Sequence, residues 1–293
     1  MTAAIAIIRV AQFASLMTLF GASAFVLLLR WRLAEVQQVW PSLAGFFVAA
    51  AIVALAAALA SLPVTAASMG GDWRSAIDSS IIGAVLRHTR FGNLLVLRLA
   101  GSFTLLIACM RTSTLRFEAV CILSAALLIL LSLTSHAAAS AGAPDLALPR
   151  AANDAAHLLA GGFWLGSLVV LISLFNAPVG NGANFLRPVQ LFSEWGTYAV
   201  ALLVVSGTVN VATLLFGGRT TWSSAYQQLL AAKVGLAAIM IVLAAINRWR
   251  LAPAARGGDQ QAPRALSRNI TAELTLGLGV IAVAGIIGSI APG

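Results

Sequence analysis

Residues 154–174 read DAAHLLAGGFWLGSLVVLISL, and from Ala155 to Phe175 the run contains no acidic residue, lysine or arginine. About 18 apolar residues in succession suffice to cross the roughly 30 Å hydrocarbon slab of a bilayer as a helix. Working outward, seven further runs of this kind lie at about 3–29, 43–62, 93–110, 117–136, 194–216, 228–247 and 270–290. Strands alternating at period two are absent, which disfavours an outer-membrane barrel. Backbone groups in lipid must find partners within their own segment, which leaves helices. The expected fold is therefore all-α, a polytopic bundle of about eight transmembrane helices forming one integral membrane domain over residues 1–293. Composition agrees: hydrophobic residues make up 60% and charged residues 9% of the 293, with a mean hydropathy of +0.95. An ordinary soluble domain carries about 25% charged residues, so the lipid bilayer is the first expected partner.

At the N-terminus, Arg9 followed by an apolar stretch and Ala22-Ser23-Ala24 has the outline of a cleavable signal. The apolar run continues to Leu29, however, and Arg30-Trp31-Arg32 reads as a stop-transfer flank, so a retained helix is expected. The net charge of +9 is spread over helix ends and short loops, which points away from nucleic acid. Taking alternate loops, one side collects Arg30, Arg32, Arg111, Arg116, Arg187, Arg248, Arg250, Arg256, Arg264 and Arg268. The other collects Arg9, Arg74, Arg87, Arg90, Arg150 and Arg219. The positive-inside rule makes the first side cytoplasmic and puts both termini outside. Cys109 and Cys121 then face the reducing cytoplasm, where a structural disulfide is not expected. They read either as a metal exit point or as small apolar helix residues.

The two halves of the chain resemble one another. Gln12-Phe13-Ala14-Ser15 leading to Phe20-Gly21-Ala22 has its counterpart in His157-Leu158-Leu159-Ala160 leading to Leu165-Gly166-Ser167. Likewise Arg98 ends Leu94-Leu95-Val96-Leu97-Arg98 as Lys233 ends Leu229-Leu230-Ala231-Ala232-Lys233. Four helices per half give both halves one orientation, hence two parallel repeats, 1–136 and 154–293, with any site between them. Chance similarity among apolar helices is the competing account. Arg98 and Lys233 lie inside apolar segments, either as interior-facing polar groups or as snorkelling side chains. Glu118, Glu194 and Glu273 are expected in the first turns of their helices, where a carboxylate complements the dipole.

Three histidines are present, His88, His136 and His157, all on the outer side of this topology. His136 closes the fourth span and His157 opens the fifth. Asp154, His157, Gly161 and Trp164 share one helical face, so Asp154 is placed to orient the imidazole behind a metal ion. A polar helix cap is the alternative reading of each ring. His88, in Arg87-His88-Thr89-Arg90, reads as a solvated interfacial residue.

The stretch 154–174, together with FSEWGTYAVALLVVSGTVN at 192–210, QLLAAKVGLAAIMIVLAAINRWRLAP at 228–253 and Ser135-His136-Ala137, resembles the copper-resistance D family of bacterial inner-membrane proteins. The resemblance is clearest over 135–253. It implies an eight-helix inner-membrane protein that handles copper, often beside a periplasmic copper carrier of the CopC type. No carrier-like domain and no Met- or His-rich tail is present, and Gln12 stands where the second half has His157. The expected function is copper transport or delivery across the inner membrane, from periplasm to cytoplasm. The copper ion, Cu(I) or Cu(II), would be held at the periplasmic mouth by His136 and His157, with Asp154 behind them. Gln12, Arg98 and Lys233 would line a polar interior, and Met17 and Met240 could continue a path, thioether being a Cu(I) ligand. Two alternatives remain: a b-type haem electron carrier with His136 and His157 as axial ligands, and a non-transporting copper-assembly subunit. The sequence contains no nucleotide loop, phosphorylatable Asp-Lys-Thr-Gly run or nucleophile triad, so neither an enzyme nor an ATP-driven pump is expected.

Overall fold

A computed structural model describes residues 1–30, 40–111, 116–133, 147–176, 183–216 and 224–290. Its helices are α1 (Thr2–Arg30), α2 (Trp40–Gly70), α3 (Ser79–His88), α4 (Arg90–Met110), α5 (Arg116–Leu133), α6 (Ala147–Phe175), α7 (Ala183–Phe216), α8 (Ala225–Ile246), α9 (Ala252–Arg256) and α10 (Ala262–Ile287). Eight of them, all but α3 and α9, are long and apolar enough to span a membrane. The described residues contain no strand, so the all-α expectation holds.

Hydroxyls inside these helices bond back to their own backbone, which removes the cost of a bare polar group in an apolar setting. Ser15 donates to the Ala11 carbonyl at 2.6 Å, Ser23 to Leu19 at 2.7 Å and Ser167 to Phe163 at 2.6 Å. The short helix α3 is amphipathic and starts on Asp78, whose carboxylate accepts from the Ser80 N–H at 2.8 Å. His88 closes this helix and is exposed, as a solvated residue would be.

Helix α1 is the central element, packing on α6, α2, α5 and α10. It crosses α6 at glycine. A Cβ on Gly21 would stand 1.9 Å from the Gly162 carbonyl oxygen, and one on Gly166 would stand 2.3 Å from the Ala22 nitrogen. Only glycine permits this approach, in which backbone lies on backbone. It is the small-residue packing of helices that have no hydrophobic drive to associate in lipid. Phe25 seals the crossing edge-on against Phe163 and Phe192, with centroids 6.4 and 6.0 Å away.

In the first half α2 packs on α4, α4 on α5, and α1 on both α2 and α5. In the second half α6 packs on α7 and α10, and α8 on α10, but the described residues of α7 and α8 form no packing seam. The beginning of α1 meets the end of α10: a Cβ on Gly288 would stand 2.5 Å from Arg9 Nε. The two ends of the chain therefore share one face of the bundle.

Two expectations need correction. Glu194 and Glu273 are not in first turns, because α7 begins at Ala183 and α10 at Ala262, about three turns earlier in each case. Glu194 is exposed on α7, whereas Glu273 is 1% exposed, among the most deeply buried side chains of the protein. Glu118 does lie in the first turn of α5.

Candidate functional site

The face shared by the two chain ends carries a polar cluster built on α6. The His157 Nδ1 atom meets the Ser206 hydroxyl of α7 at 2.9 Å. One turn earlier, Asn153 Nδ2 donates to the Ser206 carbonyl at 3.1 Å and to Asn210 Oδ1 at 2.7 Å. A Cβ on Gly207 would stand 3.4 Å from His157 Cε1, so a bare backbone there lets the ring lie close against α7. Lys233 of α8 stands within electrostatic reach of both His157 and Asp154, and Tyr226 within reach of Asp154. His157 and Lys233 are each half-buried. The cluster therefore bridges α6, α7 and α8 where the latter two stand apart.

A polar pair in the first half of the chain is buried. Arg98 of α4, 5% exposed, donates from Nη2 to the Gln12 side-chain oxygen of α1, itself 5% exposed. Arg98 thus faces the interior rather than snorkelling to a surface. Arg9 lies one turn before Gln12 with its guanidinium 5.8 Å from the Phe13 ring centroid.

A second cluster lies deeper in the bundle. The Glu273 carboxylate of α10 accepts from Trp164 Nε1 of α6 at 3.1 Å and from Asn247 Nδ2 at 2.6 Å. Asn247 Oδ1 in turn accepts from Asn269 Nδ2 at 3.1 Å. Asn247 opens a π-helical turn, Asn247–Leu251, that follows α8. Such turns are rare and recur at functional sites. Sequence reading missed this cluster because hydropathy started the last helix too late. Two signals were present: Trp164 shares a face with His157, and Lys233, Met240 and Asn247 recur every seven residues along one face of α8.

Met17 and Met240 sit between the two clusters, 7% and 4% exposed. The Met17 methyl fills the space beside Gly161, where a Cβ would come to 2.8 Å, and the Met240 methyl lies 3.2 Å from a Cβ placed on Gly277. Cys109 and Cys121 are thiols, the first buried. His136 lies outside the described residues. Among those described, no three His, Cys, Asp or Glu side chains converge as a metal cage. His157 is brought together with Ser206 and Lys233, and Lys233 with Asp154, while Gln12 and Arg98 pair with each other.

Eight spanning helices with polar side chains bonded to one another inside the bundle define a polytopic integral membrane protein with a polar interior. The first part of the chain, residues 1–146, matches the family described as copper resistance protein D-like, N-terminal domain. Residues 186–287 match copper resistance protein D. The chain belongs to the copper resistance protein D family. It is 28% identical to the inner membrane protein YebZ of Escherichia coli strain K12 over 83% of both chains. It is 27% identical to copper resistance protein D of Pseudomonas syringae pv. tomato, over 97% of this chain and 96% of that one. The copper transport protein CutJ of Bacillus subtilis strain 168 is 28% identical over 80% of this chain, which spans 43% of that longer protein. No solved structure matches the chain.

Proposed function

We propose that this protein moves copper across a bacterial inner membrane, from periplasm to cytoplasm, taking the ion up at the face that carries both chain ends. The observation that carries the reading is the His157 imidazole. It is held through Nδ1 by Ser206 and set where α7 and α8 stand apart, in a chain of a copper-resistance family. A ring fixed at one nitrogen is pre-oriented to bind at the other, as metal-ligating histidines are. Imidazole suits copper in either oxidation state, and His136 is the proposed second ligand.

Lys233 beside such a ligand would repel a cation. Asp154 within its reach offsets that charge, so the proposed role of Asp154 is to neutralise the mouth as well as to stand behind the ring. From there Met17 and Met240 offer thioethers suited to Cu(I). The halves 1–136 and 154–293 are proposed as parallel repeats, since Gly21 and Gly166, matched in sequence, meet at the α1–α6 crossing. On this reading Gln12 with Arg98 is the closed counterpart of His157 with Lys233. A periplasmic copper carrier of the CopC type is the proposed donor.

The test is copper uptake into proteoliposomes that contain this chain alone, beside its His157→Ala variant. Uptake by the wild type that the variant loses supports a transporter. Copper bound by the purified chain without uptake would replace transport with an assembly role. A Soret band in the purified protein would replace both with haem chemistry. Reporter fusions within 137–153 and 248–268 test the orientation, the first active only as a periplasmic and the second only as a cytoplasmic fusion.

A further inference from the structure

Glu273 has no part in the copper site proposed above. Its side chain is 1% exposed in the interior of a spanning helix. Both of its oxygens accept from neutral N–H donors, Trp164 on one and Asn247 on the other. Among the described residues these two alone bond to it.

The charged groups on the neighbouring elements lie elsewhere. On α6, Asp154 and His157 stand two turns or more away from Trp164 along the helix. On α8, Lys233 is 14 residues from Asn247, about 21 Å of helix rise. Arg248 beside Asn247 is spent on the Ser193 carbonyl and hydroxyl of α7, and Arg250 follows it in the π turn. On α9, Arg256 is exposed, and on α10 itself Arg264 and Arg268 are exposed. On α1, Arg9 lies at the other end of α10, against Gly288, and Gln12 is engaged by Arg98.

An ionised carboxylate in a medium without a counter-charge is costly enough that such groups neutralise instead. A bound metal ion is one way to do so, but this pocket opposes it. Trp164 can only donate, and Asn247 turns its N–H₂ toward the carboxylate because its oxygen is taken by Asn269. Among the described residues, no three His, Cys, Asp or Glu side chains converge around Glu273 as a metal cage would need. A proton needs no such ligand set.

We propose that Glu273 is the proton-binding site of the bundle: its carboxyl holds a proton in the resting protein and releases it when copper occupies the path. The second clause rests on the copper reading; the first does not. The placement suits the role. Trp164 lies on the same face of α6 as His157, and Asn247 on the same face of α8 as Lys233, so both ends of the network share a rigid helix with the outer cluster. The π turn at Asn247 supplies a backbone element that can change register. When Glu273 is protonated, one oxygen becomes a donor, and the Asn247 amide, turned over, offers it Oδ1 while its N–H₂ donates to Asn269 Oδ1. When the proton leaves, the amide turns back to the arrangement in which both carboxylate oxygens accept N–H bonds.

The test is infrared difference spectroscopy on the purified full-length chain, with Cu(I) kept reduced by ascorbate as the probe. The wild type should show a protonated-carboxyl band at neutral pH that Glu273→Gln removes. Copper loading should abolish that band and release a proton to a pH dye, and Glu273→Gln should release about one proton fewer per copper. If Glu273→Gln does not fold, Trp164→Phe keeps the carboxyl and deletes one donor, so the band should persist at a shifted frequency. Absence of any band assignable to Glu273 in the wild type, or a band unmoved in Trp164→Phe, overturns the proton site. A band that copper leaves unchanged in a protein that binds copper overturns the coupling. If the protein binds no copper, the copper reading fails alone, and titration of the band by pH still decides Glu273.

Discussion

Helix α2 lies along α4, but α7 and α8, which follow in the same order in the second half, share no seam. Both halves place a basic residue opposite a polar residue of their first helix, Arg98 opposite Gln12 and Lys233 opposite His157. In the first half the pair is buried and hydrogen-bonded, and a chemically inert amide meets the guanidinium. In the second half an imidazole meets an ammonium, both half-buried, with Asp154 within reach of the ammonium. The buried pair ties α4 to α1 in the first half, and on the proposed reading the second half offers the ligands.

The largest effect expected is common to both halves. Gly21→Leu and Gly166→Leu each drive a side chain into backbone that cannot move aside, where a Cβ alone would stand at 1.9 and 2.3 Å. Overpacking costs about 1–3 kcal/mol where side chains can shift, and more where they cannot. Both variants should fail to yield a monodisperse purified protein by size-exclusion chromatography. A well-behaved Gly21→Leu protein would break the view that this crossing organises the bundle.

Next come substitutions that separate the halves. His157→Ala should abolish copper uptake while leaving the yield intact, and His136→Ala combined with it should be little worse. Ser206→Ala should weaken copper binding by about 10–100-fold, the usual cost of losing a ligand's orienting partner. Gln12→Ala, by contrast, should leave copper binding in place. Equilibrium dialysis of each purified variant measures these, and a Gln12→Ala protein that loses copper as His157→Ala does would erase the distinction.

A smaller contrast is expected between the two basic residues. Arg98→Leu strands the buried Gln12 oxygen, and an unmade buried hydrogen bond costs about 1–3 kcal/mol. Its melting temperature should fall, whereas Lys233→Leu should melt as the wild type does and lose activity. Equal melting temperatures, or full uptake by Lys233→Leu, would place both residues in the same role.

The smallest effect concerns α3, which stands between α2 and α4. Its cap, Asp78, accepts from the side chain and backbone of Ser80 and from the Ile81 N–H, and these bonds hold its carboxyl below the usual carboxylate range. A depressed folded value means that the cap contributes at neutral pH and is lost as pH falls through that folded value. Asp78→Ala should lower the amide-exchange protection factors at Ser80 and Ile81, as titrating the cap with acid does, with copper uptake unchanged. Slower uptake would give α3 a part in function as well as in folding.

The eight spans were legible because lipid imposes a length and a composition that soluble folds do not share. His157, Lys233 and Arg98 were legible for a related reason, since a polar side chain stands out against an apolar run. The family resemblance was carried by the same stretches, HLLAGGFWLG and Asn-Arg-Trp-Arg, that proved to hold Trp164 and Asn247 against Glu273. Glu273 itself was misread because hydropathy marks where a chain becomes apolar, not where a helix begins. The polar turns of α10 from Ala262 onward carry the same hydrogen-bonded backbone as the rest.

By itself, then, the sequence determined that this chain is a bundle of membrane-spanning helices and which side chains are too polar to lie there without a reason. Only the tertiary structure decided their company: Arg98 with Gln12, His157 with Ser206 and Lys233, Glu273 with Trp164 and Asn247. Hydropathy is a property of each residue along the chain, whereas a partner is a matter of which helices touch. That is fixed by contacts such as Gly21 on Gly162, where the absence of a side chain brings two backbones together.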